Sequence, residues 1–382
     1  MNSSPLKSLQ NGNWFKLICG ASYQHLPAVR NLTLAYTLAG ADCIDVAADP
    51  AVISIAREAL TTAQLWQKST SERGFPMAHQ PWLMVSFNDG EDPHFRKAEF
   101  DSVACPKDCS RPCETICPAD AITFDDLAHL PTGGVQDPLC YGCGRCLPVC
   151  PSQIISTRSY VSTPENVAPL VLSTGVDAIE IHTQVGRVSD FKRLWYSVQP
   201  WIDQLKLVSI SCPNDEDLID YLRILYSIIS PLPCTLIWQT DGRPMSGDIG
   251  AGTTTASIKL SQKVLAANLP GYVQLAGGTN QSTVGKLRSM NLLTAGRSSG
   301  TVAGVAYGSY ARVLLSPLLE KLESKSLFEP RLTPNQTAGL TTKVQPSTLT
   351  KLEAHPDLLW QTVSLAHSLV AQLKGLHLAE GG

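Results

Sequence analysis

At 382 residues with 43% hydrophobic side chains, the chain is too long for one small metal-binding module. It fits one large α/β domain with a small companion, or two ordinary domains. The formal charge of -3 gives no reason to look for nucleic acid or anionic lipid as a partner, and the opening MNSSPLKSLQNGNWFK lacks the apolar run of a signal peptide.

Nowhere do about 18 uncharged apolar residues follow one another, so no membrane span is predicted and a cytoplasmic protein is expected. Short runs rich in Val and Ile alternate with longer stretches of helical periodicity, the pattern of βα units. The first three predicted strands are Phe15–Ser22, Cys43–Asp49 and Trp82–Asp89, with helices over Pro27–Ala39 and Ala51–Gln67. Pro50 stands where a helix start tolerates the missing N–H.

Eight of the 12 cysteines then fall between Cys105 and Cys150. Such density means disulfides in an exported protein and metal in a reducing compartment; the missing export signal favours metal. The cysteines form two runs, Cys105-x3-Cys109-x3-Cys113-x3-Cys117-Pro118 and Cys140-x2-Cys143-x2-Cys146-x3-Cys150-Pro151. In two-cluster ferredoxins, three closely spaced thiolates hold one cubane and the cysteine before proline crosses to the other. On that rule Cys105, Cys109, Cys113 and Cys150 hold one 4Fe–4S cluster, and Cys117, Cys140, Cys143 and Cys146 hold the second.

The residues after each Cys-Pro repeat, Cys117-Pro-Ala-Asp-Ala-Ile-Thr-Phe against Cys150-Pro-Ser-Gln-Ile-Ile-Ser-Thr, which reads as an internal duplication with a short strand in each half. The first run has three residues in both early gaps, so its loop is wider and its cluster is the one expected to shed an iron and convert to 3Fe–4S on oxidation. Four thiolates also suit zinc, but a Cys-Pro cross-over has no use in a zinc ribbon. The Cys-x3-Cys-x2-Cys run of radical-initiating clusters is absent.

Five more strands follow, Val176–Thr183, Leu205–Cys212, Cys234–Gln239, Tyr272–Ala276 and Val302–Tyr307. Helices are predicted over Asp190–Ile202, Asp215–Ile229, Thr254–Asn268, Thr283–Met290 and Tyr310–Ser324. Eight strands alternating with helices predict a (β/α)8 barrel of the α/β class, with the ferredoxin-like module inserted after the third strand, beside the mouth. The runner-up is a doubly wound open sheet, for which no Gly-x-Gly-x-x-Gly follows a strand. Residues 1–100 and 161–327 make the two parts of the barrel, 101–160 the module, and 328–382 a Pro- and Thr-rich linker with a final amphipathic helix at about Pro356 to Leu376.

Loops after the seventh and eighth strands of such barrels often bind phosphate. Gly277, Gly278, Gly308 and Ser309, with Arg312 close behind, would suit a flavin mononucleotide phosphate, or they make tight turns only. Gln239, Asp241, Arg243, Ser246 and Asp248 form either a ligand lid or a solvated turn. Glu180 and His182 share one strand face, either as a satisfied core pair or as an acid and a base. Cys19, Cys43, Cys212 and Cys234 read as small buried apolar residues, with Cys212 at a strand end the one to test. Neither a Gly-x-Ser-x-Gly elbow nor a Gly-Lys-Ser/Thr phosphate loop is present.

Three stretches carry a family resemblance: Ile18-Cys-Gly-Ala-Ser-Tyr-Gln-His-Leu-Pro-Ala-Val-Arg30, Gly40-Ala-Asp-Cys-Ile-Asp-Val-Ala-Ala-Asp-Pro50 and Cys105-Pro-Lys-Asp-Cys-Ser-Arg-Pro-Cys113. They resemble the light-dependent period protein family of cyanobacteria over nearly the whole chain. The resemblance implies an iron–sulfur protein that links cellular redox state, and so light, to circadian period, with the eight module cysteines as ligands. It also implies clock or redox-chain proteins as partners. Two readings stay open: a redox sensor answering the quinone or ferredoxin pool, or an oxidoreductase passing electrons to a flavin in the barrel mouth.

Overall fold

The computed structural model describes residues 4–20, 25–75, 77, 79–90, 92–117, 121–124, 134–137, 139–140, 145–242, 250, 252–294, 300–328 and 351–375. The chain begins with α1 (Pro5–Gln10), β1 (Trp14–Ile18), α2 (Leu26–Leu38), β2 (Cys43–Ala47), α3 (Pro50–Leu65), α4 (Gln67–Glu72) and β3 (Trp82–Asn88). The inserted module contributes β4 (Asp92–Glu99), α5 (Pro112–Ile116), β5 (Ile122–Thr123), β6 (Gly134–Val135), α6 (Cys146–Val149) and β7 (Ser156–Ser162). There follow α7 (Pro164–Leu172), β8 (Ala178–His182), α8 (Val188–Val198), β9 (Leu207–Pro213), α9 (Leu218–Ile229), β10 (Thr235–Asp241) and α10 (Thr254–Ala266). Last come β11 (Tyr272–Ala276), α11 (Thr283–Ser289), β12 (Gly304–Tyr307), α12 (Ser309–Phe328) and α13 (Pro356–Lys374).

Strands β1, β12, β11, β10, β9, β8, β3 and β2, in that spatial order, close a barrel in which every neighbouring pair is parallel. The eight strands read from the sequence are those of the barrel, with ends that differ by at most four residues, the largest difference being at the end of β1. Helices α1, α4 and α7 were not foreseen: two are six-residue pieces, and α7 carries Pro169 inside it, which masks a helical pattern. Helix α7 completes the connection from β3 to β8, so the module leaves the chain between a barrel strand and its helix.

The barrel is built from residue types that want these places. Asp49 stands before α3 and accepts a hydrogen bond from the Ala51 N–H at 2.8 Å, while Pro50 fills the first helical position. The α3 residues Val52, Ile53, Ala56, Ala59, Leu60 and Ala63 recur at helical spacing and are buried, so one stripe faces the core. Removing Leu60 down to Ala would cost about 2–5 kcal/mol. Gly304 lets β12 run against β1, because a Cβ there would meet the Trp14 carbonyl.

Helix α2 is buried along its whole length, since the barrel covers one side and α12 and α13 the other. Two buried ion-pair groups hold the C-terminal extension. Arg30, fully buried, forks onto Glu58 (2.5 and 2.9 Å) and onto Glu353 (2.9 and 2.5 Å). Lys374 at the end of α13 reaches both oxygens of buried Asp42 (2.7 and 2.6 Å) and the Ser8 hydroxyl of α1 (2.9 Å). No helix among the described residues is long and apolar enough to cross a membrane.

Candidate metal centre

The module stands on a two-stranded antiparallel ribbon, β4 with β7, in which Phe95 faces Tyr160 and Glu99 faces Ser156. Antiparallel pairing brings the two ends of the insertion together at Glu99 and Ser156. Within it the two halves repeat. Helices α5 and α6 each end at the cysteine before proline, and those cysteines share one conformation: Cys117 at φ -69°, ψ 112°, and Cys150 at φ -72°, ψ 111°. Each donates its amide to the carbonyl three residues back, Glu114 and Leu147, both at 3.4 Å. Cys113 and Cys146 stand four residues before them and are buried. The duplication legible in the Cys-Pro sequences is therefore a repeat in the backbone. The strand foreseen after Cys117 is β5, paired with β6; the one foreseen after Cys150 begins at Ser156 and belongs to the ribbon.

Cys113, Cys117, Cys140, Cys146 and Cys150 are buried, whereas Cys105 and Cys109 are half-buried. Cys143 lies outside the described residues. Burial, and then the neighbouring Cys109 and Cys150 thiols, push the Cys105 thiol up. Burial also pushes Cys113 up; the backbone amides of Glu114 and Cys113 oppose it, and the thiols of Cys150 and Cys105 add to it. Cys150, from the second run, thus sits within electrostatic reach of the first. Two backbone amides aim at sulfur: Ala98 N–H at Cys140 Sγ (3.4 Å) and Ala121 N–H at Cys117 Sγ (3.2 Å). Bonds of this kind favour a thiolate over a thiol and tune a metal that the sulfur binds.

Among the described residues no three His, Cys, Asp or Glu side chains close on a point where one ion would sit. Around the thiols pack Phe100, Phe124, Val135, Leu147, Val149 and Ile154, which keep water from the sulfurs. The widened first run is accommodated at Arg111, which adopts the left-handed conformation (φ 53°) just before Pro112 and lays its guanidinium over Phe124 at 4.2 Å.

Contacts to the loops after β1 and β2 seat the module beside the barrel mouth. Lys97 on β4 lies 4.0 Å from Asp49 and also donates to the Asp137 carbonyl. Arg145, next to Cys146, meets His25 at 3.3 Å. Asp89, fully buried just after β3, accepts from the Thr183 hydroxyl (2.5 Å) and from Arg187 (2.9 Å), which fixes the root of the insertion against β8.

The remaining candidate residues fall as follows. Gly277 and Gly278 both take positive φ (64° and 81°), and their carbonyls accept hydroxyls of α10: Ser257 on Gly277, Thr253 (2.7 Å) and Thr254 (3.2 Å) on Gly278. Gly308 lies against Ile18, while Arg312 donates to the carbonyls of Ile18 (3.2 Å) and Cys19 (3.1 Å) and to Ser309 Oγ (3.2 Å). That geometry gives Arg312 the task of joining β1 to the start of α12. Arg243, Ser246 and Asp248 lie outside the described residues. Cys19, Cys43 and Cys212 are buried and Cys234 half-buried; burial pushes the thiols of Cys19 and Cys212 up to about 12 and Cys234 to about 11, so Cys212 is not an activated nucleophile.

Sequence reasoning missed a polar layer at mid-barrel, made by Lys16, Asp45, Ser86, Ser209 and Gln274 with Glu180 and Gln239. All seven are buried. Strand alternation carried the signal: Trp14, Lys16 and Ile18 share one face of β1, so an inward lysine follows once β1 is a barrel strand.

Residues 105–161 match the LdpA Fe–S cluster-binding domain and residues 170–372 the light dependent period A C-terminal domain. A relative from Synechococcus elongatus, Light dependent period A, is 48% identical over 372 residues, covering 97% of this chain and 94% of its own. The chain belongs to the LdpA family. Its two family segments fall on the module and on the later half of the barrel with α13, and the cofactor of the module is of the iron–sulfur kind. Among solved structures, the homocysteine methyltransferase MmuM of Escherichia coli aligns at 12% identity and TM-score 0.39 over 81% of this chain and 98% of that one. The carboxyl transferase domain of Rhizobium etli pyruvate carboxylase aligns at 10% identity and TM-score 0.36, over 96% of this chain and 50% of that one. Neither likeness bears on the function of an LdpA-family chain.

Proposed function

We propose that this chain is a redox-sensing regulatory protein whose two 4Fe–4S clusters link the redox state of the cell, and through it light, to the period of the circadian clock. The barrel, 1–100 with 161–327, serves as the platform, 101–160 as the sensing module and 328–382 as an extension. The observation that carries the reading is the repeated backbone at Cys117 and Cys150, with the electrostatic influence of the Cys150 thiol on Cys105 and Cys113 in support. That arrangement suits a cross-over pair: Cys105, Cys109, Cys113 and Cys150 on one cluster, Cys117, Cys140, Cys143 and Cys146 on the other.

Bound clusters supply one-electron oxidation and reduction. The chain's own residues set the terms. The Ala98 and Ala121 amides stabilise negative charge on Cys140 and Cys117, and the phenyl rings of Phe100 and Phe124 exclude water. Among the described ligands Cys105 and Cys109 are the more exposed, which favours oxidation of the first cluster before the second. A change of charge there is felt at Lys97–Asp49 and Arg145–His25, the contacts that join module to barrel. The partners on this reading are clock or redox-chain proteins, with the quinone or ferredoxin pool as the source of the redox signal.

Hydrogen exchange measured on the anaerobic, cluster-loaded chain, oxidised and then reduced, tests it. Altered protection at residues 97–99, 145–150 and the loops after β1 and β2 is the expected result. Identical exchange in both states would remove the sensing step.

A further inference from the structure

The middle layer of a (β/α)8 barrel is usually filled by branched apolar side chains. Here it is a hydrogen-bonded ionic network. Lys16 Nζ donates to Glu180, to Gln239 Oε1 (3.0 Å) and pairs with Asp45 (3.0 Å). Glu180 Oε2 also accepts from Ser209 (2.8 Å), and its Oε1 accepts from Gln239 Nε2 (2.6 Å). Asp45 accepts from Ser86 (2.8 Å), and Gln274 links Gln239 (2.6 Å) to the Trp14 indole (2.6 Å).

Below this layer Leu9, Trp14, Cys43, Met84, Ala178, Leu207, Ile237 and Ala303 form an apolar seal. The network therefore communicates with one end only, the mouth. Burying such a group stabilises a fold less than apolar side chains of the same volume would, and chains retain that kind of cost where a site needs it.

One titratable side chain of this assembly reaches the mouth. His182 follows Glu180 by two residues on β8, its side chain is 31% exposed, and its Nε2 lies 3.3 Å from Glu180 Oε1. The ionised Glu180 carboxylate at that distance favours the tautomer with the proton on Nε2, which leaves Nδ1 as the acceptor. Burial raises the Glu180 carboxyl, but the charge of Lys16, that of His182 whenever it is protonated, and the hydrogen bonds from Lys16 and Ser209 outweigh it and hold the carboxyl below its usual range. On either side of His182 in the barrel register stand Asn88 of β3 and Ser211 of β9. Asn88 Oδ1 is taken by the Gly90 amide (2.9 Å), so the donor end of that amide remains for a ligand. The nearby cations already face other partners: Arg187 faces Asp89 (2.9 Å) and Asp190 (3.6 Å), and Arg312 faces two backbone carbonyls.

We infer that the mouth is a proton-transfer site for a small uncharged carbonyl compound, with His182 as general base, Glu180 and Lys16 as its positioning residues, and Asn88 as donor to the carbonyl oxygen. In the step, the C–H bond next to the carbonyl breaks and its proton goes to His182 Nδ1. The electron pair passes to the carbonyl oxygen as an enolate, and return of a proton from His182 to carbon restores the carbonyl. Nothing is oxidised or reduced, so the step is independent of the clusters. Among the described residues each cation near the network already faces a carboxylate or a carbonyl, so an anionic ligand would approach Glu180 and Asp45 with none of these to spare.

The test uses the full cluster-loaded chain in D2O with hydroxyacetone as probe, following deuterium entry at the carbons beside the carbonyl by NMR. The wild type should exceed the same concentration of free imidazole by about a hundredfold, the usual scale for a positioned acid–base group. His182→Gln, a change at the open end of the layer, should abolish the gain while leaving the fold intact. Nitrogen NMR of labelled histidine should show His182 protonated on Nε2, and Glu180→Gln should alter that tautomer population. A wild-type rate no greater than free imidazole, a rate unchanged in His182→Gln, or a proton on Nδ1 would each overturn the assignment.

Discussion

The barrel and the cysteine module are held together by different means. The barrel's core is a continuous mass of aliphatic and aromatic side chains, from Phe15 and Leu17 through Ile179 and Val208 to Leu369 and Val370. Among the described residues of the module's core, five of the nine that are buried are cysteines: Cys113, Cys117, Cys140, Cys146 and Cys150, with Ala98, Ala121, Ile122 and Ile155. A group of thiols has little apolar area to withdraw from water, so the module must draw its stability from what the thiols bind. The barrel needs no such help.

Removing the clusters is the strongest way to break that contrast. Anaerobic chelation of iron should unfold the module outright, seen as protease cleavage between Glu99 and Ser156, while the thermal midpoint of the barrel stays within a few degrees. Co-operative loss of both would show that the barrel depends on the clusters too. Next in size is the converse change. Asp42→Asn leaves Lys374 buried without its carboxylate and should destabilise the barrel by about 3–5 kcal/mol in urea unfolding, with the visible spectrum of the module unaltered.

The same pair gives a pH dependence. Burial alone would push the Asp42 carboxyl up, but Lys374, His79 and Ser8 more than offset it and hold it below the usual range. A depressed carboxyl contributes stability that is present above the ordinary aspartate range and is lost as pH falls through the folded-state value. Acid should therefore release α13 first. The fluorescence of Trp360, which stacks on Phe75 at 6.0 Å and meets Trp66 edge-on at 5.8 Å, reports that release; in Asp42→Asn the acid step should vanish.

Smallest is the effect at the joint. Lys97→Ala removes a 4.0 Å ion pair and should cost the barrel at most about 1 kcal/mol, yet increase hydrogen exchange along β4. An unchanged exchange rate would mean that other contacts seat the module.

Legibility from sequence follows the same division. The barrel strands could be read because each is a short apolar run between turn residues, and the cysteine runs because metal chemistry fixes their spacing. Strand β4 of the ribbon was not read: Asp-Pro-His-Phe-Arg-Lys-Ala-Glu has neither alternation nor an apolar run, and it becomes a strand only by pairing with residues some sixty positions on. Lys16 and Asp45 were hidden for another reason. Each is a single charge inside an apolar strand, and only closure of the barrel brings Lys16 onto both Asp45 and Glu180. The hydrogen bonds from Arg312 to the carbonyls of Ile18 and Cys19 are likewise announced by no local pattern.

The cross-over of ligands is the central claim, and iron and acid-labile sulfide analysis of single variants, with electron paramagnetic resonance of the reduced protein, tests it most directly. The wild type should contain two cubanes' worth of each. Cys150→Ser should lose or alter the cluster of the first run and leave that of the second, whereas Cys117→Ser should do the reverse. Loss of the second-run cluster in Cys150→Ser, with the first intact, would contradict the account.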